Sequence, residues 1–124
     1  MHLTFDGTRE EAALKKFMVL YNSSVSASEQ MASSTPEQRK AGMEEWMAWA
    51  GRAGSAIVDF GAPLQAAAHV TSGGVRDSES QAAGYSLLQG ESKDEIDSLL
   101  ADHPHLKMPG ASIDVFEALP PPGM

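Results

Sequence analysis

The sequence predicts one α+β domain, in which helices cover an antiparallel β-sheet. Strand-like apolar segments alternate along the chain with helix-like segments that begin at capping residues. Clusters of glycine and proline separate these segments. At 124 residues the chain can form one hydrophobic core but is short for two domains.

The first predicted strand covers residues 16–22. Its side chains from Phe17 to Tyr21 are apolar without alternation, and a strand that is apolar on both faces needs cover on both faces. Ser26 and Glu29, three residues apart, then have the spacing of a capping box and indicate a short helix.

A longer helix is predicted to begin at Thr35 and to end at Gly54. Thr35 is a suitable N-cap, Pro36 suits the first helical position, and Gln38 completes a capping box. Glycine suits the left-handed turn that often ends a helix. Four side chains are expected to form its buried stripe: Met43, Trp46, Met47 and Ala50. Gly42, Trp49 and Ala53 are expected to flank this stripe.

The middle of the chain predicts two strands with a hairpin between them. Residues 56–60 form the second strand, and residues 69–75 form a small hairpin around a Ser-Gly-Gly turn. A polar loop over residues 76–83 leads to a strand at residues 85–89, which is bounded by glycines.

The last third predicts a capped helix, a turn and a final strand. Ser92 and Glu95 have capping-box spacing, and Pro104 cannot continue the helix. Residues 112–118 form the strand, and residues 119–124 form a stiff proline-rich tail. The expected buried helix face consists of Ile96, Leu99, Leu100 and His103.

With the hairpin set aside, the predicted order is βαββαβ, which is the ferredoxin-like order. It predicts a four-stranded antiparallel sheet with two helices on one face. Three strands are apolar on both faces, so the uncovered face would expose a large apolar patch. We therefore expect a homodimer that packs sheet against sheet.

Composition argues against several classes of partner and location. The net charge is −8 and no basic cluster occurs, which argues against nucleic acid as a partner. No apolar run approaches the ~20 residues of a membrane helix, and no secretory signal or cysteine is present. These features predict a cytoplasmic protein that binds no membrane, and no motif indicates a cofactor.

Three segments carry a resemblance to a known family: KKFMVLYN, TPEQRKAGMEEWMAWAGRAGSAIVDFGAPL and GYSLLQGES…LLADHPHL…PGASIDVFEALPPPGM. Over residues 15–124 the chain resembles YCII-related proteins of the dimeric α/β-barrel superfamily. The resemblance implies a ferredoxin-like subunit and a homodimer formed by two sheets, but most members have no assigned activity. It leaves residues 1–14 as an extension outside the domain, which we expect to be dispensable for folding.

Some relatives carry a His–Asp pair that is proposed as an acid–base catalyst. In those relatives the His lies early in the first helix, where this chain has Met43. That pair therefore does not transfer intact, and a catalytic His would have to come from elsewhere in the chain.

The densest titratable cluster is Asp102-His103-Pro104-His105. Either His could act as a base, with Asp102 or Asp59 fixing its tautomer. The alternative is structural: His103 would cap the helix C-terminus and His105 would pack in the turn. A metal site formed by the two His and one Asp has no further supporting motif, so no metal is predicted.

Asp59 is the other candidate, because it lies between the apolar residues Val58 and Phe60. It is either on the solvent face of its strand or buried with a shifted pKa.

Two functions stay open from the sequence. One is a protein that binds a small apolar or aromatic molecule, with lyase- or isomerase-like acid–base chemistry through His105, His103 and Asp59. The other is a non-catalytic homodimeric module with a regulatory or stress-related role. The sequence does not decide whether the protein is an enzyme.

Overall fold

The structure, a computed structural model, describes residues 14–122. These residues form six strands, three α-helices and two short 3-10 helices. The strands are β1 (Lys15–Asn22), β2 (Ile57–Pro63), β3 (His69–Thr71), β4 (Gly74–Arg76), β5 (Ala82–Gly90) and β6 (Ser112–Glu117). The helices are α1 (Ala27–Ser33), α2 (Pro36–Ala53) and α3 (Lys93–Leu100), with 3-10 turns at Gly54–Ala56 and Pro104–Lys107.

Four strands form one antiparallel sheet in the order β2-β5-β1-β6. The predicted α+β class and four-stranded antiparallel sheet are thereby confirmed, and the strand order is compatible with a ferredoxin-like fold. Strands β3 and β4 pair only with each other, as the predicted hairpin. The prediction for residues 1–14 falls, except for Leu14, outside the described residues.

One face of the sheet carries the core. Phe17, Val19 and Tyr21 alternate along β1 and are buried, because successive strand residues point to opposite faces. They belong to one cluster with buried side chains of α2, α3 and β5. This shared cluster places α2 and α3 on the same face. Its other members are Leu88, Trp49, Ala53, Ile96 and Leu100.

The other face, which we call the open face, is apolar at its centre. Met18 lies between Leu87 of β5 and Phe116 of β6 in the strand register, and Leu20 lies next to Tyr85. Phe116 is 52% exposed. No helix covers these side chains within residues 14–122, so the open face presents apolar surface to its surroundings.

The edge strand β2 is irregular where it pairs with β5. Its register shifts between Ile57 and Asp59 and again between Asp59 and Ala62. Gly61, in the second irregularity, has φ 89°, a conformation that favours glycine. An alanine Cβ there would lie 1.7 Å from the carbonyl oxygen of Tyr85. The Asp59 carboxylate stabilises the irregularity by accepting a 2.9 Å hydrogen bond from the Gly61 N–H.

The predicted buried stripe of α2 was half wrong. Met43 and Met47 are 57% and 55% exposed, whereas Trp49 is 1% exposed. The helix is rotated so that Trp49 enters the core, where its indole N–H donates to the Leu99 carbonyl at 2.8 Å. Burying the larger indole removes more apolar area from water than burying a methionine. The stripe that packs against the sheet consists of Trp46, Trp49, Ala50 and Ala53.

The three predicted N-caps are present, but one of the capping boxes is incomplete. Ser26 and Thr35 both form complete capping boxes. Ser92 accepts from the Glu95 N–H, but the Glu95 carboxylate accepts from the Glu91 N–H instead of completing a box. The predicted bounds also shift, because β2 continues to Pro63 and β5 begins at Ala82.

Candidate functional site

The two histidines of the predicted cluster lie together just beyond α3. Helix α3 ends at Leu100, and Pro104 opens the 3-10 turn Pro104–Lys107. The Nδ1 atom of His103 accepts a 3.0 Å hydrogen bond from the His105 N–H. His103 therefore caps the N-terminus of this turn. The structural role predicted from the sequence was different, because it made His103 a cap at the C-terminus of the preceding helix.

His105 connects the 3-10 turn to the sheet through a hydrogen bond. Its Nε2 lies 2.7 Å from the Asn22 carbonyl oxygen at the end of β1. A carbonyl oxygen can only accept, so this nitrogen carries the proton and donates it. His105 is thus held in one tautomer by the backbone of β1, and its ring is buried.

His103 is held in one tautomer as well. Because its Nδ1 accepts from a backbone N–H, the neutral ring carries its proton on Nε2. That atom is buried and has no hydrogen-bond partner within the described part of the chain. The ring centroid lies 4.4 Å from both Trp46 and Trp49 and 4.9 Å from Tyr21. His103 therefore fills a space that is otherwise lined by aromatic rings.

This environment disfavours a charged His103. Burial, followed by the nearby His105, lowers the pKa of His103 from its usual 6.5 to about 4. Asp102 raises the pKa and Arg52 lowers it, but both have smaller effects than burial and His105. At neutral pH the imidazole is uncharged.

A hydrogen-bonded chain runs from Tyr21 through the core to β2. The Tyr21 hydroxyl donates to Ser86 Oγ at 2.8 Å, and the Ser86 hydroxyl donates to the Phe60 carbonyl at 2.7 Å. Burial raises the pKa of Tyr21. The hydrogen bond between Tyr21 and Ser86 was not predicted from the sequence. A serine within the otherwise apolar strand was the available signal, because buried hydroxyls need partners.

In the described part of the chain, neither Asp59 nor Asp102 forms a hydrogen bond with a histidine ring. Asp59 pairs in register with Leu87, so it belongs to the open face, where its Oδ2 accepts from the Tyr85 hydroxyl at 3.3 Å. Asp102 is exposed and lies 3.5 Å from Arg52. The sheet separates Asp59 from His103 and His105, so the structure brings together the two histidines but not the predicted Asp59 partner.

His103 and His105 pack with Tyr21, Trp46 and Trp49 in one aromatic cluster. His103 is 1% and His105 is 5% exposed. A substrate would have to displace packed aromatic side chains to reach either ring. The arrangement orients the 3-10 turn and the end of β1, and the catalytic assignment of these residues stays a prediction.

An apolar groove of about 320 Å³ lies elsewhere, between α3, the second 3-10 turn and β6. Neither histidine lines it. Its lining is mostly aliphatic and consists of Asp97, Leu100, Ala101, Leu106, Ala111, Ser112, Ile113 and Val115.

Over residues 14–122, no group of three or more His, Asp or Glu side chains is placed to hold a metal ion. None of the helices in that range is long and apolar enough to cross a membrane. In comparisons of the whole chain, no protein-family model matches it, and no curated protein matches it significantly.

Proposed function

We propose that the protein is a non-catalytic homodimeric module that packs through the open face of its sheet. The observation that supports the proposal is the apolar centre of that face, where Met18, Leu87 and Phe116 lie side by side in register. Such a continuous patch typically marks an interaction surface. A second copy covers both open faces by one two-fold operation.

The polar groups at the margin of the open face suit this arrangement. Asp59 accepts from Tyr85, and Asp114 accepts from the Asn22 side chain at 2.8 Å. Because each carboxylate already has a hydrogen-bond donor, covering the face leaves neither without a partner. Two sheets packed in this way, about 10 Å apart, would form the dimeric α/β barrel that the resemblance implies.

The histidine pair has a structural role in this proposal. Both rings are engaged with backbone groups, and the rings of Trp46 and Trp49 enclose His103. A general base must reach the proton that it removes, and neither ring opens onto a concave site. The pair instead joins the end of α3 to β1.

The substitution Leu87→Asp tests the interface. We expect the protein to sediment as a dimer at micromolar concentration and the variant to sediment as a folded monomer, since each copy would bring an unpaired charge into the apolar centre. Met47→Asp is the matched control, because it introduces the same charge on an exposed position of α2 and should stay dimeric. A protein that is monomeric without any substitution would contradict the proposal.

A second candidate is the binding of a small apolar molecule, with the His/Asp acid–base chemistry left open. The groove beside β6 supports it, because its volume of about 320 Å³ falls within the ~300–1,000 Å³ of typical ligand sites. A ligand that binds only the folded state raises the melting temperature.

Thermal shift with a panel of small aromatic compounds tests this second candidate. We expect a compound that binds the groove to raise the melting temperature, and Leu106→Arg to abolish the rise. Val25→Arg is the control, because Val25 is about as exposed as Leu106, at 42% against 41%, and does not line the groove. A panel without any shift, or a shift that survives Leu106→Arg, would count against the groove as a ligand site.

A further inference from the structure

The two edge strands of the sheet differ in regularity. The pairing of β2 with β5 shifts register twice, and β2 ends at Pro63, which has no backbone N–H. Strand β6 instead pairs with β1 over six consecutive residues without a shift. Irregular pairing and proline both prevent an edge strand from pairing with another chain. Neither occurs within β6, so β6 is the edge that can pair with a further strand.

The backbone of β6 points toward β1 and away from it at alternate residues. The Ala118 N–H, just beyond the strand, donates to the Lys16 carbonyl of β1 at 2.8 Å. In an antiparallel ladder the N–H and C=O of every second residue point to the same side. Counting back from Ala118, the backbone of Asp114 points toward β1. The backbone groups of Ile113 and Val115 therefore point away from β1, to the outer side of the edge.

The apolar groove beside β6 is lined by these same two residues. The side chains of Ile113 and Val115 pack toward the core and line the groove, opposite Leu100 of α3 and Leu106 of the second 3-10 turn. A strand added beside β6 would turn every second side chain to the groove side. One extended segment would thus pair with the backbone of β6 and fill the groove, which is how peptides bind by strand addition.

The elements on the two sides of the groove are acidic. Helix α3 carries three carboxylates and one lysine, and β6 carries two carboxylates and no cation. Asp97 is the charged residue in the groove lining. Lys107 of the 3-10 turn is paired with Glu45 of α2. The chain as a whole has a net charge of −8. Charge complementarity therefore favours a basic occupant.

We propose that the β6 edge and the groove bind an extended basic segment of a partner protein, with apolar side chains at alternate positions. Its backbone pairs with Ile113 and Val115, its apolar side chains enter the groove, and its cations face the carboxylates of α3 and β6. This surface does not include the open face, so the proposal does not depend on the homodimer. It assigns the groove to a peptide and not to a small molecule.

Hydrogen exchange measured by NMR tests the pairing with β6, with the synthetic peptide Lys-Val-Lys-Val-Lys-Val as the probe. Without the peptide, we expect the amide of Asp114 to exchange slowly and those of Ile113 and Val115 to exchange rapidly. Saturating peptide should slow the latter two by at least about tenfold, because they become hydrogen-bonded. A peptide that binds without protecting these amides would overturn strand addition.

A second copy of the chain is the competing occupant of the edge, and the same measurement separates it from the peptide. If β6 pairs with β6 of another copy, the amides of Ile113 and Val115 are protected without any peptide, and their protection increases with protein concentration. That result would overturn the proposal.

Fluorescence anisotropy of the labelled peptide tests the groove and the charge. We expect Leu106→Arg to weaken binding at least about tenfold, because the new side chain fills the groove and repels the lysines. Val25→Arg adds the same charge at a comparably exposed position outside the groove and should leave the affinity unchanged. The peptide Glu-Val-Glu-Val-Glu-Val should also bind at least about tenfold more weakly. Equal effects of the two arginine variants, or equal affinities of the two peptides, would overturn the proposal.

Two N-methylated forms of the peptide test its backbone. One form is methylated at its three valines and the other at its three lysines. Because only one set of N–H groups faces β6 in a paired strand, we expect one form to lose affinity by at least about tenfold relative to the other. Equal affinities of the two forms, or no binding of the unmodified peptide, would contradict the proposed pairing.

Discussion

Replacing Gly61 with alanine is expected to destabilise the fold by at least about 3 kcal/mol. The glycine has φ 89°, which an alanine adopts only with strain, and the added Cβ would meet the Tyr85 carbonyl oxygen at 1.7 Å. That oxygen belongs to β5, an inner strand of the sheet, so it cannot retreat without disturbing the pairing on both sides of β5.

Urea unfolding followed by circular dichroism measures this effect. All variants are compared at one protein concentration, since the stability of a dimer depends on concentration. Gly51→Ala is the control. Gly51 lies in α2 with nothing within 4 Å of the added Cβ, so this variant should be more stable by about 0.5–1 kcal/mol. A Gly61→Ala variant within about 0.5 kcal/mol of the unsubstituted protein would be incompatible with the described irregularity of β2.

Acid is expected to destabilise the protein through His103. Its pKa is about 4 in the folded state, against an ordinary value of 6.5 when unfolded. Between pH 4 and pH 6.5 the unfolded chain binds one more proton at His103 than the folded chain does. The contribution of the neutral His103 to the free energy of unfolding is therefore fully present above pH 6.5 and is lost as the pH falls toward 4. A shift of this size corresponds to a loss on the order of 3 kcal/mol.

The variant His103→Asn identifies the source of this pH dependence. Asparagine does not titrate and still offers an oxygen to the His105 N–H. It should be less stable at pH 7, because it leaves part of the aromatic enclosure empty. Its free energy of unfolding should then fall less between pH 7 and pH 4.5 than that of the unsubstituted protein. His69→Asn, in the exposed strand β3, is the control for removing a histidine outside the core and should leave the pH profile unchanged. An equal loss of stability in all three proteins would show that His103 is not the titrating group.

The packing of His103 bears on the proposed function. A buried base can serve catalysis when its environment changes on substrate binding, but this ring already meets Trp46, Trp49 and Tyr21. Its one backbone hydrogen bond stabilises the 3-10 turn. An imidazole held in this way is expected to contribute to stability at neutral pH, which agrees with the proposed non-catalytic module.

Helix starts and strands that depend on neighbouring residues were predictable from the sequence. Ser26 and Thr35 begin their helices as expected, because a capping side chain bonds to a backbone N–H only three residues away. Strand β1 and the hairpin were also predictable, because an apolar run and a glycine turn are visible in a short segment of the sequence. These interactions depend on neighbours in the chain and need no knowledge of the rest of the fold.

The direction in which several side chains face depends on contacts between distant parts of the chain. The rotation of α2 buries Trp49 and exposes Met43 and Met47, because the indole reaches a carbonyl of α3 fifty residues away. The irregular pairing of β2 with β5 places Asp59 on the open face, away from His103. A side chain's partner in such cases lies far along the chain, and the spacing of residues in one segment carries no information about that partner.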